Sequence, residues 1–332
     1  MAHVLKKYRF IGFVVLVSLV LSCSPIEKIE TETLQPAQIS FPEYFHRVAF
    51  LFTLPENQFK LIEQDIFKNN VLDELKYGIA KITNNTPRFS PDNILLVNRN
   101  ELGYINDVDS LTTVDLMRIA DSLRIDGIIV LKDFSLDHQL ERKINLNYAS
   151  QDEYYLKFTI VSRAEWDIFA PQKLAFVDTF SYKEKYVWEA IGANKNDAIL
   201  RLPDYQESFL EAAYWTGYDY AERIFPVWEK NYREVYVTGN KIMRRAREKV
   251  ENNNWKTAIE LWKKNLDHYD EELVSRSAYN IAIAMEMLGE IDLALKWSKK
   301  AHDINAKKRA MEYHEVLEER QQELKKLEKQ LP

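Results

Sequence analysis

Residues Val114–Phe134 read VDLMRIADSLRIDGIIVLKDF, and this stretch decides the kind of fold. Val114, Leu116, Ile119, Ala120 and Leu123 recur at helical spacing. Thr112 stands where an N-cap belongs, with Asp115 three residues on to close a capping box. The helical period stops at Asp126-Gly127, and Ile128–Leu131 follows as an apolar run of strand length. Upstream, Arg47–Thr53 (RVAFLFT) lies between Pro42 and Pro55 and reads as a buried strand. Gln58–Ile82 then reads as a helix and Ile94–Val97 as a second strand. Downstream, Tyr154–Phe169 and Lys173–Tyr186 read as two long strands joined as a hairpin around Ala170-Pro171-Gln172. Leu136–Ser150 is polar and stays open between a strand extension and a loop. The order strand–helix–strand–helix–strand–strand–strand predicts a mixed-sheet α+β domain over residues 41–235. Pro203–Ile224 reads as a long helix, and Pro226 opens a new segment after a kink.

From Gly239 the apolar spacing becomes continuously helical, and two stretches superpose. Ala246 maps to Ala282 and Ala258 to Ala294, each pair 36 residues apart, with Trp262 set near Trp297. Asn253 stands where the second copy has Gly289, and Asn265 where it has Ala301. This pattern resembles the tetratricopeptide (TPR) repeat, whose period is about 34. The resemblance implies an all-α region of TPR-like repeats over 236–304, with small residues where helices cross. Asparagine tolerates the left-handed backbone of a turn glycine, so Asn253 is a mild departure. About three repeats are needed for a continuous solenoid core. Residues 305–332, holding the charged stretch Ala306–Gln330, are therefore expected to cap the array.

The amino terminus carries Lys6, Lys7 and Arg9 ahead of the apolar run Ile11–Ser22, and then Cys23, the single cysteine. A basic start, a short apolar run and an immediate cysteine resemble a bacterial lipoprotein signal. The resemblance implies a signal peptide over 1–22 and a diacylglyceryl group on Cys23, the expected membrane attachment. Two or three acyl chains hold a protein stably where one does not. By analogy with enterobacterial lipoprotein sorting, Ser24 after the cysteine, rather than Asp, implies the outer over the inner membrane. Residues 23–40 read as a polar tether.

The helix–Asp-Gly–strand step also resembles envelope lipoproteins related to the curli secretion protein and the TolB amino-terminal domain. Pro36-Ala37, Asp126-Gly127, and Pro226-x-Trp228 with Arg233-x-x-Tyr236 extend the likeness to a family of Bacteroidota envelope lipoproteins, in which such a domain precedes TPR-like helices. That likeness implies a place in the cell envelope and no particular activity.

Composition narrows the function. The 332 residues carry 45 Lys+Arg against 51 Asp+Glu, net −6, and the chain beyond the basic leader is more acidic still. That argues against nucleic acid as partner. Eight glycines leave little for phosphate loops, and none of the usual nucleotide or nucleophile motifs occurs. His3, His46, His138, His268, His302 and His314 are scattered. His268 with Asp267, Asp270, Glu271 and Glu272 reads as a solvated loop rather than a metal site. Asp133, Asp137 and His138 follow a strand end, where sites on α/β-type sheets often lie, although loops are polar in any case. Asp152 and Glu153 have no partner that would make a hydrolase. The basic runs Lys241–Lys249 and Lys299–Arg309 read as solvated helix faces ahead of lipid or glycan contacts.

The expectation is therefore a lipid-anchored envelope protein, not an enzyme, without cofactor or metal, that binds an envelope protein partner through its TPR-like helices. Aromatics crowd Tyr205–Tyr236, most of them expected in packing. The candidate partner-binding surface is Tyr214, Trp215, Tyr218, Trp228, Trp255, Trp262 and Trp297. A glycan- or cell-wall-fragment-binding lipoprotein, enzymatic or not, is the first alternative. A subunit of a secretion or assembly pore is the second.

Overall fold

The structure is a computed structural model and describes residues 25–53, 65–102, 111–145 and 153–331. Cys23 with the leader, residues 58–64 of the first expected helix, and Asp152 lie outside them. In chain order the elements are β1 (Ile26–Gln35), β2 (Val48–Phe52), α1 (Asp65–Thr83), β3 (Ile94–Asn98), α2 (Thr113–Leu123), β4 (Gly127–Asn145), β5 (Glu153–Ala170) and β6 (Ala175–Gly192). Then follow α3 (Lys195–Leu200), α4 (Tyr205–Ile224), β7 (Val227–Tyr236), α5 (Lys241–Glu251), α6 (Trp255–Lys263), α7 (Glu271–Met287), α8 (Ile291–Ile304) and α9 (Lys308–Gln330). The fold class is α+β. Two compact units divide the chain: one takes Leu34–Trp228 with Leu327–Pro332, the other the chain up to Thr33 with Glu229–Lys326.

In the sheet unit the strand order is β3-β2-β4-β5-β6. Strand β2 runs parallel to β3 and β4, and β4, β5 and β6 form an antiparallel meander. All five residues of β2 are buried because both faces of the sheet are covered there. Phe50 and Phe52 pack under α1 and α4, while Ala49 and Leu51 pack against Leu116 and Ile119 of α2. The capping box of α2 forms as expected, Thr112 accepting from the Asp115 amide at 3.3 Å and the Asp115 carboxylate accepting from the Thr112 amide at 3.1 Å.

Asp126-Gly127 is an architectural fastener. The Asp126 carboxylate accepts from the backbone amides of His46 and Arg47 at 3.0 Å each, fixing the chain just before β2. A Cβ on Gly127 would stand 2.3 Å from the Phe45 ring, so only glycine admits that ring.

Several expectations are corrected by longer strands. Strand β4 does not stop near Leu131; it bulges between Leu131 and Asp133 and runs on to Asn145, paired throughout with β5. Asp133, Asp137 and His138 therefore lie within a ladder, not beyond a strand end. Pro226 opens strand β7, and most of the expected tether is strand β1, hydrogen-bonded to β7 in a two-stranded ribbon. Pro25 meets Val237 and Thr33 meets Asn231, so the two strands run in opposite directions. Strand β1 (IEKIETETLQ) reads as a tether by composition because a ribbon with one solvated face needs few apolar residues.

In the helical unit α5–α6 and α7–α8 are helical hairpins, followed by α9. Ala246, Ala258, Ala282, Ala294 and Ala301 are all fully buried. Asn253 and Gly289 both take left-handed backbone, φ 55° and 79°. Asn265, in place of the expected alanine, is buried and hydrogen-bonded, accepting from Asn240 Nδ2 at 2.8 Å and donating to Ser277 Oγ at 3.0 Å. The last turn of the expected cap belongs to the sheet unit. There the Gln330 amide takes both backbone groups of Ala37, each at 2.9 Å.

Candidate functional site

The sheet unit presents an open aromatic face on α1 and α4. The helices cross backbone to backbone. A Cβ on Gly78 would stand 2.0 Å from the carbonyl oxygen of Tyr214, and one on Gly217 would stand 2.0 Å from that of Leu75. This close approach leaves large side chains no room in the seam, and they fan out along its rim. Tyr77 meets Tyr214 with ring centroids 5.7 Å apart, and Trp215 stands edge-on to Tyr214 and Tyr218 at 5.2 Å each. Tyr77 is 61% exposed and Trp215 39%. Burial pushes the phenols of Tyr214 and Tyr218 up, with Tyr77 and Glu74 adding to the first and Glu222 to the second. Sequence reasoning singled out Tyr214, Trp215 and Tyr218 but missed Tyr77, because nothing in the sequence announces which helix lies beside α4.

A polar network lies between α4 and the sheet. Tyr182 of β6 donates to the Asp219 carboxylate at 2.7 Å, and its hydroxyl lies 2.8 Å from that of Tyr186. Thr216 donates to the Ala212 carbonyl at 2.7 Å, with Ser162 Oγ 2.7 Å from its hydroxyl. Burial raises the Asp219 carboxyl above the usual aspartate range, opposed by the Tyr182 bond and assisted by Glu184. Burial likewise pushes Tyr186 up to about 12.

The other expected site residues separate. Trp262 is fully buried and Trp255 is 8% exposed, so both are core of the helical unit and neither offers a surface. They fill the hairpin where helices made of alanine would leave voids. Trp297 is half-buried beneath the Lys300 ammonium, and Trp228 is 56% exposed at the start of β7. His138 lies among Tyr205, Phe158 and Phe209 on the sheet, and Asp137 pairs with Arg163 on the neighbouring strand. Asp270 caps α7 and His268 accepts from the Asp270 amide. Among the described residues no group of three or more His, Cys, Asp or Glu is placed to hold a metal ion.

The first helices of the hairpins, α5 and α7, and α9 after them, hold the β1–β7 ribbon. Asn280 of α7 takes both backbone groups of Tyr236, and Arg276 and Arg309 lie over that ring. Arg233 makes a two-point ion pair with Glu286 at 2.8 and 2.6 Å, and Tyr313 of α9 donates to the same carboxylate at 2.6 Å. On α5, Arg247 pairs with Glu27 beside a cleft of about 270 Å³ floored by Ile29, Val235, Val237 and Val250. The Pro226–Tyr236 signature thus marks the strand that this helical layer grips.

Two family models match the chain, both described as domains of unknown function: DUF8603 over residues 81–236 and DUF6340 over residues 244–326. The first ends where β7 ends and the second begins inside α5. A search of curated proteins returned no match. Among solved structures, the chain is similar to a neuraminyllactose-binding hemagglutinin homolog from Helicobacter pylori at 10% identity and a TM-score of 0.29, over 64% of this chain and 93% of that one. It is similar to the rare lipoprotein B from Shewanella oneidensis at 12% identity and a TM-score of 0.21, over 62% and 98%. At such scores neither likeness bears on fold or function. No helix among the described residues is long and apolar enough to cross a membrane.

Proposed function

We propose that this chain is a lipid-anchored envelope protein that docks another protein, without catalysis of its own. The docking surface is the α1/α4 aromatic face of the sheet unit rather than the first-helix layer of the hairpins. The observation that carries the reading is the cluster of exposed Tyr77 and Trp215 with half-buried Tyr214 and Tyr218. Exposed tyrosine and tryptophan supply large contact area with little side-chain entropy to lose, which is why they anchor interfaces. Against the helical layer stands the ribbon, which already engages Asn280, Glu286 and Tyr313. The anchoring half of the proposal rests on the basic leader, the apolar run Ile11–Ser22 and Cys23.

The test is crosslinking and recovery from detergent-solubilised membranes with the native chain and a Tyr77→Ala/Trp215→Ala variant. A partner recovered by the native chain and lost by a variant that melts like it supports the reading. A partner retained by that variant, or none from either chain, overturns it. A thermal shift with saccharides that the variant abolishes would give the face to glycans instead.

A further inference from the structure

The five-stranded sheet ends in two unequal edges. Strand β3 closes one side with five residues and β6 the other with 18, and among the described residues no strand pairs with the outer edge of β6. Over residues 178–192 β6 pairs with β5 without a bulge, and it contains no proline. Shortness, bulges, proline and lysine are the devices that keep an exposed edge from pairing. Of these β6 has the lysines, Lys183 and Lys185, both exposed. The Lys185 amide donates to the Glu184 carboxylate at 2.9 Å, a bond that an arriving strand would replace. The strand also shows apolar side chains to solvent, with Val187 45% exposed and Ile191 56%.

Phe180, Tyr182, Tyr186 and Trp188 pack toward the core under α4, so Lys183, Lys185, Val187, Glu189 and Ile191 share the opposite face. That face is self-complementary about Val187. Two copies set antiparallel around a two-fold axis through Val187 bring Lys185 opposite Glu189 twice and Val187 opposite itself. On the other face the same register sets Tyr186 opposite Trp188, also twice. Opposite charges and aromatic pairs are the cross-strand neighbours that stabilise a sheet, and like charges directly opposite destabilise it. An axis at Lys185 or at Glu189 would set that residue against its own copy. We propose that the outer edge of β6 pairs with β6 of a second copy of this chain, residues 182–192 of one against 192–182 of the other, so that the two sheets become one. Such an isologous contact closes at two subunits. The lysines that repel other edges then fix this register. The inference adds an assembly state to the docking reading above and does not depend on it.

The test is the oligomeric state of the full-length chain in mild detergent, by light scattering over a dilution series, joined to carbodiimide crosslinking of amines to carboxylates in contact. Mixing isotopically light and heavy chains marks the links made between copies. The expected result is a dimer with a Lys185–Glu189 link that joins light to heavy peptides. Within one chain these two residues stand four apart along a strand, about 13 Å, beyond a direct link. Lys157, opposite Glu189 on β5, supplies the link within a chain that shows the reagent has worked. Lys185→Glu should raise the dissociation constant of the dimer roughly tenfold, because two contacts turn from attraction to repulsion. Adding Glu189→Lys should recover it, with both variants melting like the native chain. A monomer at the highest concentration reached overturns the inference, and so does a dimer that Lys185→Glu leaves unchanged. A link from Lys183 to Glu189 in place of the expected one would move the axis to Tyr186 and overturn the register. Lys185 linked in membranes to a different protein, with the purified chain monomeric, would give the edge to a foreign strand and also overturn it. None of these outcomes involves Tyr77 or Trp215, so failure of the pairing and failure of the docking face are distinguishable.

Discussion

Asn280 holds Tyr236 by its backbone, the side-chain oxygen accepting from the Tyr236 amide at 2.9 Å and the side-chain nitrogen donating to the Tyr236 carbonyl at 2.7 Å. Both residues are buried, so neither backbone group has water to fall back on. An amide side chain matched to the donor and acceptor of one extended residue is how a groove grips a strand. Here the strand is the chain's own β7.

Asn280→Ala should therefore cost about 2–4 kcal/mol, since two buried backbone groups lose their partners at about 1–3 each and the site relaxes partly. Hydrogen exchange localises the loss. Amides of β1 and β7 should exchange faster than those of β4 and β5. Uniform acceleration across both units would mean that the clamp is not a local fastener.

Arg233 and Glu286 give a sharper contrast. Their two-point pair is nearly buried and Tyr313 donates into the same carboxylate. Arg233→Ala leaves a buried anion and should cost about 3–5 kcal/mol by chemical denaturation. Arg233→Met with Glu286→Leu removes both charges and should recover most of that loss. A double variant as unstable as the single one would show that the pair itself, rather than the orphaned charge, is at stake.

Much of the sheet unit was legible because its core strands are continuously apolar and its helix carries a written cap. β2 and α2 are where VAFLF and Thr112-x-x-Asp115 put them. The ribbon was not legible, since β1 and β7 are half-solvated and the partner that makes each a strand lies some 200 residues away along the chain. The aromatic face was half legible for a like reason. Tyr214, Trp215 and Tyr218 share one helix, but Tyr77 joins them only through the Gly78–Gly217 crossing, which no local pattern encodes.

That crossing is itself testable. Gly217→Ala drives a methyl to 2.0 Å from the Leu75 carbonyl, a backbone atom that cannot swing aside. The helices must separate, and an overpacking cost of about 1–3 kcal/mol or more is expected. The fluorescence of Trp215 should shift as its neighbours move. Gly289→Ala is the control. Its added methyl meets nothing within 4 Å, and its only penalty is φ +79°, about 1 kcal/mol. Similar losses from both would remove the case for a close-packed seam.

Asn265 occupies the place where the second repeat has alanine, so a repeat consensus recommends Asn265→Ala. The structure predicts that this consensus change destabilises. It would take the acceptor from Asn240 Nδ2 and the donor from Ser277 Oγ, which keeps only its bond to Met243 Sδ, at about 1–3 kcal/mol. A melting temperature equal to or above that of the native chain would show that the buried amide network contributes nothing.

Asp219 supplies the pH dependence. Burial raises its carboxyl in the folded chain above the 3.8 of an unhindered aspartate. Between those two values the folded state holds a proton that the unfolded chain has released. Stability contributed by this group is therefore greatest in acid and falls as pH rises through that window. Other carboxylates slope the opposite way, Glu272 among them, lowered chiefly by its bond from Lys307, so the informative quantity is a difference between chains. Asp219→Asn keeps an acceptor for the Tyr182 hydroxyl and removes the titration. Its melting temperature should exceed that of the native chain at neutral pH, and the gap should close toward pH 3, where Asp219 is protonated in both states. A gap that does not change with pH would mean that Asp219 is not the strained carboxylate, and that its bond from Tyr182 outweighs its burial.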